Sequence, residues 1–469
     1  MGNLIMGTTI CWSGPAIPDL QKSPAQDGFN ITDAEASWVG SLMPLGALIG
    51  GPIGGFLISR LGKKGAMFVN AAIFALAYLM LIIAPNIFLI YIGRFFCGIG
   101  TGISSLVCPV YVAEIAKPEI RGLLGSGVQV MVVIGVLLGI SAGAVVSWRW
   151  LSIVCLSMDL IWAVLLMPIP ESPAQLLSKM KYREARESLE WLRETIYVEE
   201  DYEEIQRSVE ASQTRSAGIG DLLKMQNLLP FIISMYLMLG QQLSGMNAVL
   251  FYVDSIFEAA GSSLDSSIAS IIVALVQVVA TVLAAIFMDK LGRRVLLNTS
   301  SLFMVFSITV LGAYFYIKFN EDNTALATKL QIVPLASLSI FVMAFSVGFG
   351  PIPWLMMSEL FSPEVRGLAS SIATCFNWTL AFLVTKCFST MVEVLTEAGS
   401  FWVFGGITGL TFLFCLLFVP ETKGKSLDAI QGMFRSSSPY FFNIGVWKWC
   451  CGGGQELDNQ VLVEAEDPH

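Results

Sequence analysis

Gln129, Gln241, Gln242, Asn247, Gln277 and Asn377 are amide side chains that fall inside apolar stretches of this 469-residue chain. An amide both donates and accepts hydrogen bonds without carrying net charge. It is costly to bury unless satisfied. That is the chemistry needed to hold a neutral, polyhydroxylated molecule away from water. Taken singly, each amide reads more readily as a hydrogen bond between helices. Six together, mostly near the middle of their stretches, favour a shared polar cavity. Three of them lie in Gly-Gln-Gln-Leu-Ser-Gly-Met-Asn, residues 240–247. On an unbroken helix Gln241, Gln242 and Asn247 point about 0°, 100° and 240° around the axis, so they cannot share a face. Ser244-Gly245 is a natural break, and a discontinuous helix there lets the three converge. Gly-Phe-Gly-Pro-Ile-Pro-Trp, residues 348–354, makes a second interruption ahead of Trp354. An indole face can stack on a C–H surface while its N–H donates a hydrogen bond. Plain packing is the alternative for Trp354 and for Trp378.

The elements that carry these residues are membrane spans. The chain is 55% apolar and only 13% charged, whereas soluble domains carry about 25% charged residues. Residues 36–59, 65–93, 95–113, 123–148, 225–253, 266–288, 295–317, 330–358, 368–385 and 398–420 are free of charge. A bilayer span needs about 20 such residues. Residues 1–17 and 150–169 add two more, the second interrupted by Asp159, giving twelve spans. The first reaches only about 26 Å, short of a hydrocarbon core of about 30 Å, and reads as a truncated span. A signal peptide is the rival reading, but no basic stretch precedes it.

Composition excludes other classes. The net charge of −9 does not suit a nucleic-acid binder. No Gly-x-x-x-x-Gly-Lys-[Ser/Thr] loop is present for a nucleotide-driven pump. The glycines of residues 98–102 sit inside an apolar span, where small residues permit close helix packing. His469 is the sole histidine, so histidine catalysis and zinc clusters are not expected, and neither an enzyme, a cofactor nor a metal is implied. Seven of nine cysteines fall in spans, where Cys acts as a small apolar residue. Cys450-Cys451 in the tail is either a palmitoylation site or an unmodified pair.

The chain uses one unit twice. Ser-Arg-Leu-Gly-Lys-Lys (59–64) returns as Asp-Lys-Leu-Gly-Arg-Arg (289–294). Glu-x-x-x-Pro-Glu-x-Arg-Gly occurs at 114–122 and at 359–367, and Pro-Glu-Ser-Pro (170–173) is echoed by Pro-Glu-Thr-Lys (420–423). The order is the same in both copies, which marks an internal repeat on the scale of a six-helix bundle. The expected architecture is all-α and integral to the membrane. It has two pseudo-symmetric bundles at 1–169 and 227–420, amphipathic linker helices at 170–226, and a largely disordered tail at 421–469. Two parallel halves of this kind are the signature of a rocking secondary transporter.

Lys and Arg set the orientation. With both termini cytoplasmic, the short inner loops hold Arg60, Lys63, Lys64, Lys117, Arg121, Lys290, Arg293, Arg294 and Arg366, and the outer loops hold Lys22, Arg149, Lys318 and Lys329. Nine against four supports that placement. The sequon at Asn30 then lies in the first outer loop. Those at Asn298 and Asn377 lie at the cytoplasmic edge or within a span and read as chance. Charges inside lipid are expensive, so Arg94, Glu114, Arg121, Lys290, Arg293, Arg294, Glu359 and Arg366 are expected near the inner helix ends, pairing across the gap between halves as a gate. Simple anchoring is the alternative. It explains the basic residues but not Glu114 and Glu359 at matched positions.

These motifs, with Gln-Gln-Leu-Ser-Gly-Met-Asn, Gly-Pro-Ile-Pro-Trp, Phe-Asn-Trp and Pro-Glu-Thr-Lys-Gly in register over residues 7–427, resemble the sugar porter family of the major facilitator superfamily. The stretches at 33–48 and 376–386 further resemble its insect trehalose-transporter-like branch and the related animal hexose transporters. The resemblance implies sugar coordination by Gln129, Gln241, Gln242, Asn247, Trp354 and Asn377, with Gln277 where relatives carry an amide; Trp378, next to Asn377, is a further candidate for indole stacking. It also implies gating salt bridges among Arg60, Arg94, Glu114, Arg121, Glu171, Asp289, Arg293, Arg294, Glu359, Arg366 and Glu421. Two departures stand out: Ser59 replaces an acidic residue, and Ala174 replaces the Arg after Pro-Glu-Ser-Pro. Proton-coupled relatives carry an acid in the first span; here Thr9 stands there, with Arg94 its partner. Facilitated diffusion of a neutral sugar, by a monomer in the plasma membrane, is therefore the expectation. Asp159 is the residue that could make it a proton symporter, and a non-transporting sensor is the other alternative. Lys386 is expected to snorkel outward.

Overall fold

In lipid every backbone N–H and C=O must be satisfied within its own segment, and long helices do this. The computed structural model describes residues 1–22, 31–117, 120–213, 219–222, 224–261, 265–319, 329–362, 365–425 and 427–435. Among them are helices and turns, with no strand. The first crossing is α1 (Gly2–Cys11) with α2 (Ser13–Lys22). The next two share α3 (Asp33–Ile83), folded at Gly62. Then come α4 (Ile87–Ile115), α5 (Arg121–Gly143) and α6 (Trp148–Leu165). The linker holds α7 (Pro173–Ser178), α8 (Tyr182–Arg193), α9 (Glu199–Gln213) and α10 (Ile219–Leu222). The second half opens with α11 (Met225–Leu243), α12 (Met246–Phe251) and α13 (Val253–Ala260), followed by α14 (Ser266–Leu291) and α15 (Arg293–Phe319). The broken crossing α16 (Val333–Val347) and α17 (Ile352–Leu360) comes next. Two further crossings share α18 (Arg366–Phe418), folded at Thr396, before a short α19 (Leu427–Arg435).

The result is an all-α membrane protein of twelve crossings in two six-helix bundles. Among the described residues nine helical segments are long and apolar enough to cross a bilayer, and two of them, at 51 and 53 residues, are double length. The first crossing is longer than the sequence suggests. Its helices run on through Pro15 and Pro18 to Lys22, about 31 Å at 1.5 Å per residue. Asp19, the charge that ended the apolar window, accepts a hydrogen bond from the Trp148 N–H at 2.9 Å, at the start of α6.

Glycines bring helices into backbone contact. A Cβ on Gly98 would stand 2.1 Å from the Met43 carbonyl, and one on Gly102 2.3 Å from that of Ala47, so α4 lies directly on α3. The linker has its own small core, Leu176, Leu177 and Ala185 beneath Tyr202 and Ile205. It docks on the end of α4, where Arg193 donates to the Ile115 carbonyl at 3.0 Å and pairs with Asp201 at 2.6 Å. The tail begins as α19, whose Ile430 and Phe434 are buried.

Candidate functional site

The break expected at Ser244-Gly245 is present. Gly245 takes a left-handed conformation, φ 86°, between α11 and α12. The Ser244 hydroxyl returns to the Gln241 carbonyl at 2.7 Å. The second break separates α16 from α17 at residues 348–351 and leaves the Phe349 and Gly350 carbonyls outside any helical ladder. Gln241 Nε2 donates to both, at 2.8 and 2.9 Å. Asn377, on α18, donates through Nδ2 to Gln241 Oε1 at 2.8 Å. Gln242 Nε2 donates to Asn377 Oδ1 at 2.8 Å, and Asn247 Nδ2 donates to Gln242 Oε1 at 2.5 Å. Four of the six amides thus form one relay, drawn from three helices and closed on two broken-helix carbonyls. Gln241, Gln242 and Asn377 are buried, while Asn247 is half-buried and forms the accessible end.

The remaining expected binding residues take no part in the hydrogen bonds of this relay. Gln129 is half-buried on α5. Gln277 is buried on α14 with its Oε1 unpartnered. Trp378 is buried beside Asn377 with its indole N–H unpartnered. Such atoms normally find partners, so both fit polar contact with a ligand. Trp354 is half-buried and packs with Phe231 and Met235 against the Met238, Met357 and Phe361 cluster. Sequence reasoning missed the two carbonyls and Met238, whose Sδ lies 3.2 Å from Asn377 Nδ2. A Gly-Pro break exposes carbonyls by rule, so the first was readable.

The charged repeat builds the same clasp twice, at one end of the molecule. In the first half Lys63 Nζ pairs with Glu114 at 2.7 Å, Glu114 also accepts from the Ser172 hydroxyl, and Glu171 accepts from the Lys63 and Lys64 backbone N–H groups at 3.1 Å each. In the second, Arg293 pairs with Glu359 at 3.2 Å, Glu359 accepts from Thr422 at 2.6 Å, and Glu421 accepts from the Arg293 and Arg294 N–H groups at 2.9 and 3.1 Å. The matched residues are Lys63 and Arg293, Glu114 and Glu359, Glu171 and Glu421. Each carboxylate of the last pair caps the start of a crossing, where it meets free N–H groups and the positive helix end.

This arrangement corrects the expected gate in three places. Among the described residues, the pairs Lys63–Glu114 and Arg293–Glu359 lie within each half, because the capped helix and the capping loop belong to one bundle. Arg60 is exposed and lies over the Phe56 ring, 5.6 Å from its centroid, while Lys63 takes the clasp position. Arg94 is not at this rim; it lies near the opposite end of α4, twenty residues from Glu114. Arg294 donates to the Leu416 carbonyl and Arg366 to that of Phe361 at 3.2 Å. The side chains of Arg121 and Asp289, and Asn30 and Cys450-Cys451, lie outside the described residues.

Arg94 is fully buried. Its Nε donates to the Val39 carbonyl at 3.2 Å and Nη1 to that of Thr9 at 3.0 Å, and its guanidinium lies 5.0 Å from the Trp12 ring. The expected partnership with Thr9 therefore runs through the backbone; the Thr9 hydroxyl meets Tyr78 Oη at 2.6 Å instead. Asp159 is 1% exposed on α6, and both carboxyl oxygens are unpartnered.

A family model described as "Sugar (and other) transporter" matches residues 16–434. The chain belongs to the sugar transporter family. Sugar transporters are a class of carriers and not of enzymes, and this chain is an integral membrane protein that transports sugar across the bilayer. It is 41% identical over 434 residues to a protein named facilitated trehalose transporter Tret1 of Polypedilum vanderplanki, spanning 92% of this chain and 85% of the relative. The Tret1 of Apis mellifera ligustica is 39% identical, at 92% and 86% coverage. Among solved structures, the xylose transporter XylE from E. coli in an inward-open conformation superposes with a TM-score of 0.76 and 25% identity, covering 92% of this chain and 97% of XylE. A proton:xylose symporter XylE bound to 6-bromo-6-deoxy-D-glucose gives 0.74 at 27% identity.

Proposed function

We propose that the chain is a facilitative carrier of a neutral sugar, trehalose or a hexose, working by alternating access about the amide relay. The observation that carries this is the convergence of Asn247, Gln242, Asn377 and Gln241 at two helix breaks. It is an uncharged array of donors and acceptors suited to hydroxyl groups. Gln129, Gln277, Trp354 and Trp378 complete the pocket in this reading. Residues 1–169 and 227–420 act as the two bodies, 170–226 as the linker and 421–469 as the tail. The clasped end faces the cytoplasm, following the excess of basic residues there. The carrier works as a monomer in the plasma membrane. The names of the Tret1 relatives support trehalose among the sugars.

The test is uptake of a panel of labelled sugars into proteoliposomes at equal pH on both sides. Uptake that stops at equal concentrations and is competed by unlabelled trehalose or hexose supports the reading. Saturable binding without flux marks a sensor and overturns it. Asp159 favours a second reading, proton-linked symport, because an acid so buried with no partner is costly to ionise. Accumulation above equilibrium under an imposed pH gradient, abolished in Asp159→Asn, would establish that reading.

A further inference from the structure

Lys386 follows directly on the charge-free stretch 368–385, at the far end of an apolar crossing. It lies twenty residues beyond Arg366 on α18, about 30 Å from the clasped end. Outward snorkelling is not what the structure shows. Its Nζ donates to the Ser37 hydroxyl at 2.6 Å and sits 4.3 Å from the centroid of the Trp38 ring. Ser37 and Trp38 occupy the first turns of α3, in the other half of the molecule. Phe382, one turn before Lys386, adds a ring contact to Trp38 at 6.5 Å. Nearby, a Cβ on Gly40 of α3 would stand 3.4 Å from Tyr252 Oη, between α12 and α13, so the halves meet closely at this end.

The clasps at the far end are internal to each half. This cluster is of the other kind: every contact in it joins one half to the other. A hydroxyl and an aromatic face satisfy an ammonium without a counter-charge, and the cation–π attraction strengthens away from water. Such a contact forms when this end is closed and must break when it opens. We propose that Lys386 is a gating residue of the transport cycle, a latch seated on Ser37 and Trp38 that holds shut the end of the molecule opposite the ionic clasps. The proposal rests on the alternating-access reading but not on which sugar is carried. It gives the lysine a role in setting the balance between the two access states.

The test reads conformation directly. The full chain, with its cysteines replaced and transport retained, carries nitroxide labels at the exposed positions Ala34 on α3 and Thr390 on α18. Pulsed electron resonance then measures the distance between them in liposomes. The wild type is expected to show mainly the short, closed distance. Lys386→Met should raise the ratio of long to short distances about tenfold, which corresponds to about 1.4 kcal/mol. Lys386→Arg, which keeps the charge and the ring contact, should stay near the wild type. Should Lys386→Met not fold, Trp38→Leu, which removes the seat and keeps the charge, carries the same expected direction. A Met variant whose distances superimpose on the wild type, or an Arg variant that opens as far as the Met one, overturns the latch. Because no sugar is needed for this readout, failure of the latch and failure of the sugar-carrier reading are seen separately.

Discussion

Gly62→Ala tests the clasp at its most constrained point. Gly62 folds α3 between two crossings with φ 87° and ψ 178°, a region that a side chain hardly enters. Forcing alanine there costs on the order of 1–3 kcal/mol in backbone strain alone. A Cβ would also stand 2.3 Å from the Glu171 carboxylate, which must then move. That carboxylate accepts the Lys63 and Lys64 N–H groups, and hydrogen bonds to a charged group contribute roughly 1.5–3 kcal/mol each. Losing one and weakening the other brings the expected total to about 3–5 kcal/mol, or a melting point lower by about 6–20 °C at 2–4 °C per kcal/mol for a unit the size of one half. Gly51→Ala is the control, since a Cβ there meets nothing within 4 Å. Thermal unfolding of both variants in detergent, followed by intrinsic fluorescence, makes the comparison. Gly292, φ 92°, with Glu421 at 2.7 Å from its would-be Cβ, should behave as Gly62 does. If Gly62→Ala melts within a degree or two of the Gly51→Ala control, the cap does not hold this turn and the clasp argument fails.

Three more outcomes follow from the same geometry. Glu359→Gln removes charge from a pair only 18% and 13% exposed, and should cost about 2 kcal/mol of stability. Because Arg293 belongs to the same half, the balance between access states should stay unchanged; a shifted label distance would show a role between halves. Lys63→Met, which loses Glu114 and Gln175, should destabilise by about 2 kcal/mol, while Arg60→Met at an exposed position stays within about 0.5 kcal/mol; equal melting points would contradict the assignment of the clasp to Lys63. Under the facilitative reading, Asp159→Asn should leave initial sugar uptake at neutral pH within about twofold of the wild type. A loss beyond about tenfold, 1.4 kcal/mol, would place the carboxyl in the cycle.

Much of this molecule was legible in advance because lipid imposes simple rules. Charge-free windows marked the crossings, and the doubled motifs marked the two halves. Helical angles alone showed that Gln241, Gln242 and Asn247 needed a break, and Gly245 supplies it. What escaped was partner choice. Composition says that Glu114 and Glu359 need cations, but only the fold shows that each finds one in its own half. Aligning Gly62 with Gly292 would have put Lys63, and not Arg60, opposite Arg293. Lys386 read as an outward-snorkelling residue because sequence gives its depth but not its azimuth. The length of the first crossing was misjudged because Asp19 looks like a terminus, and its cap on Trp148 lies 129 positions away. Arg94 was misplaced at the rim although the twenty residues between it and Glu114 already put the two at opposite ends of one span.

The most direct measurement is the dissociation constant of labelled trehalose and labelled glucose for the purified chain and for Asn377→Ala, at equilibrium and without turnover. Asn377 joins Gln242 to Gln241, so its removal strands two buried amides as well as one direct contact. The account predicts that whichever sugar binds the wild type binds the variant at least tenfold more weakly, while Asn298→Ala, an amide outside the relay, binds normally. Unchanged affinity in folded Asn377→Ala would contradict it.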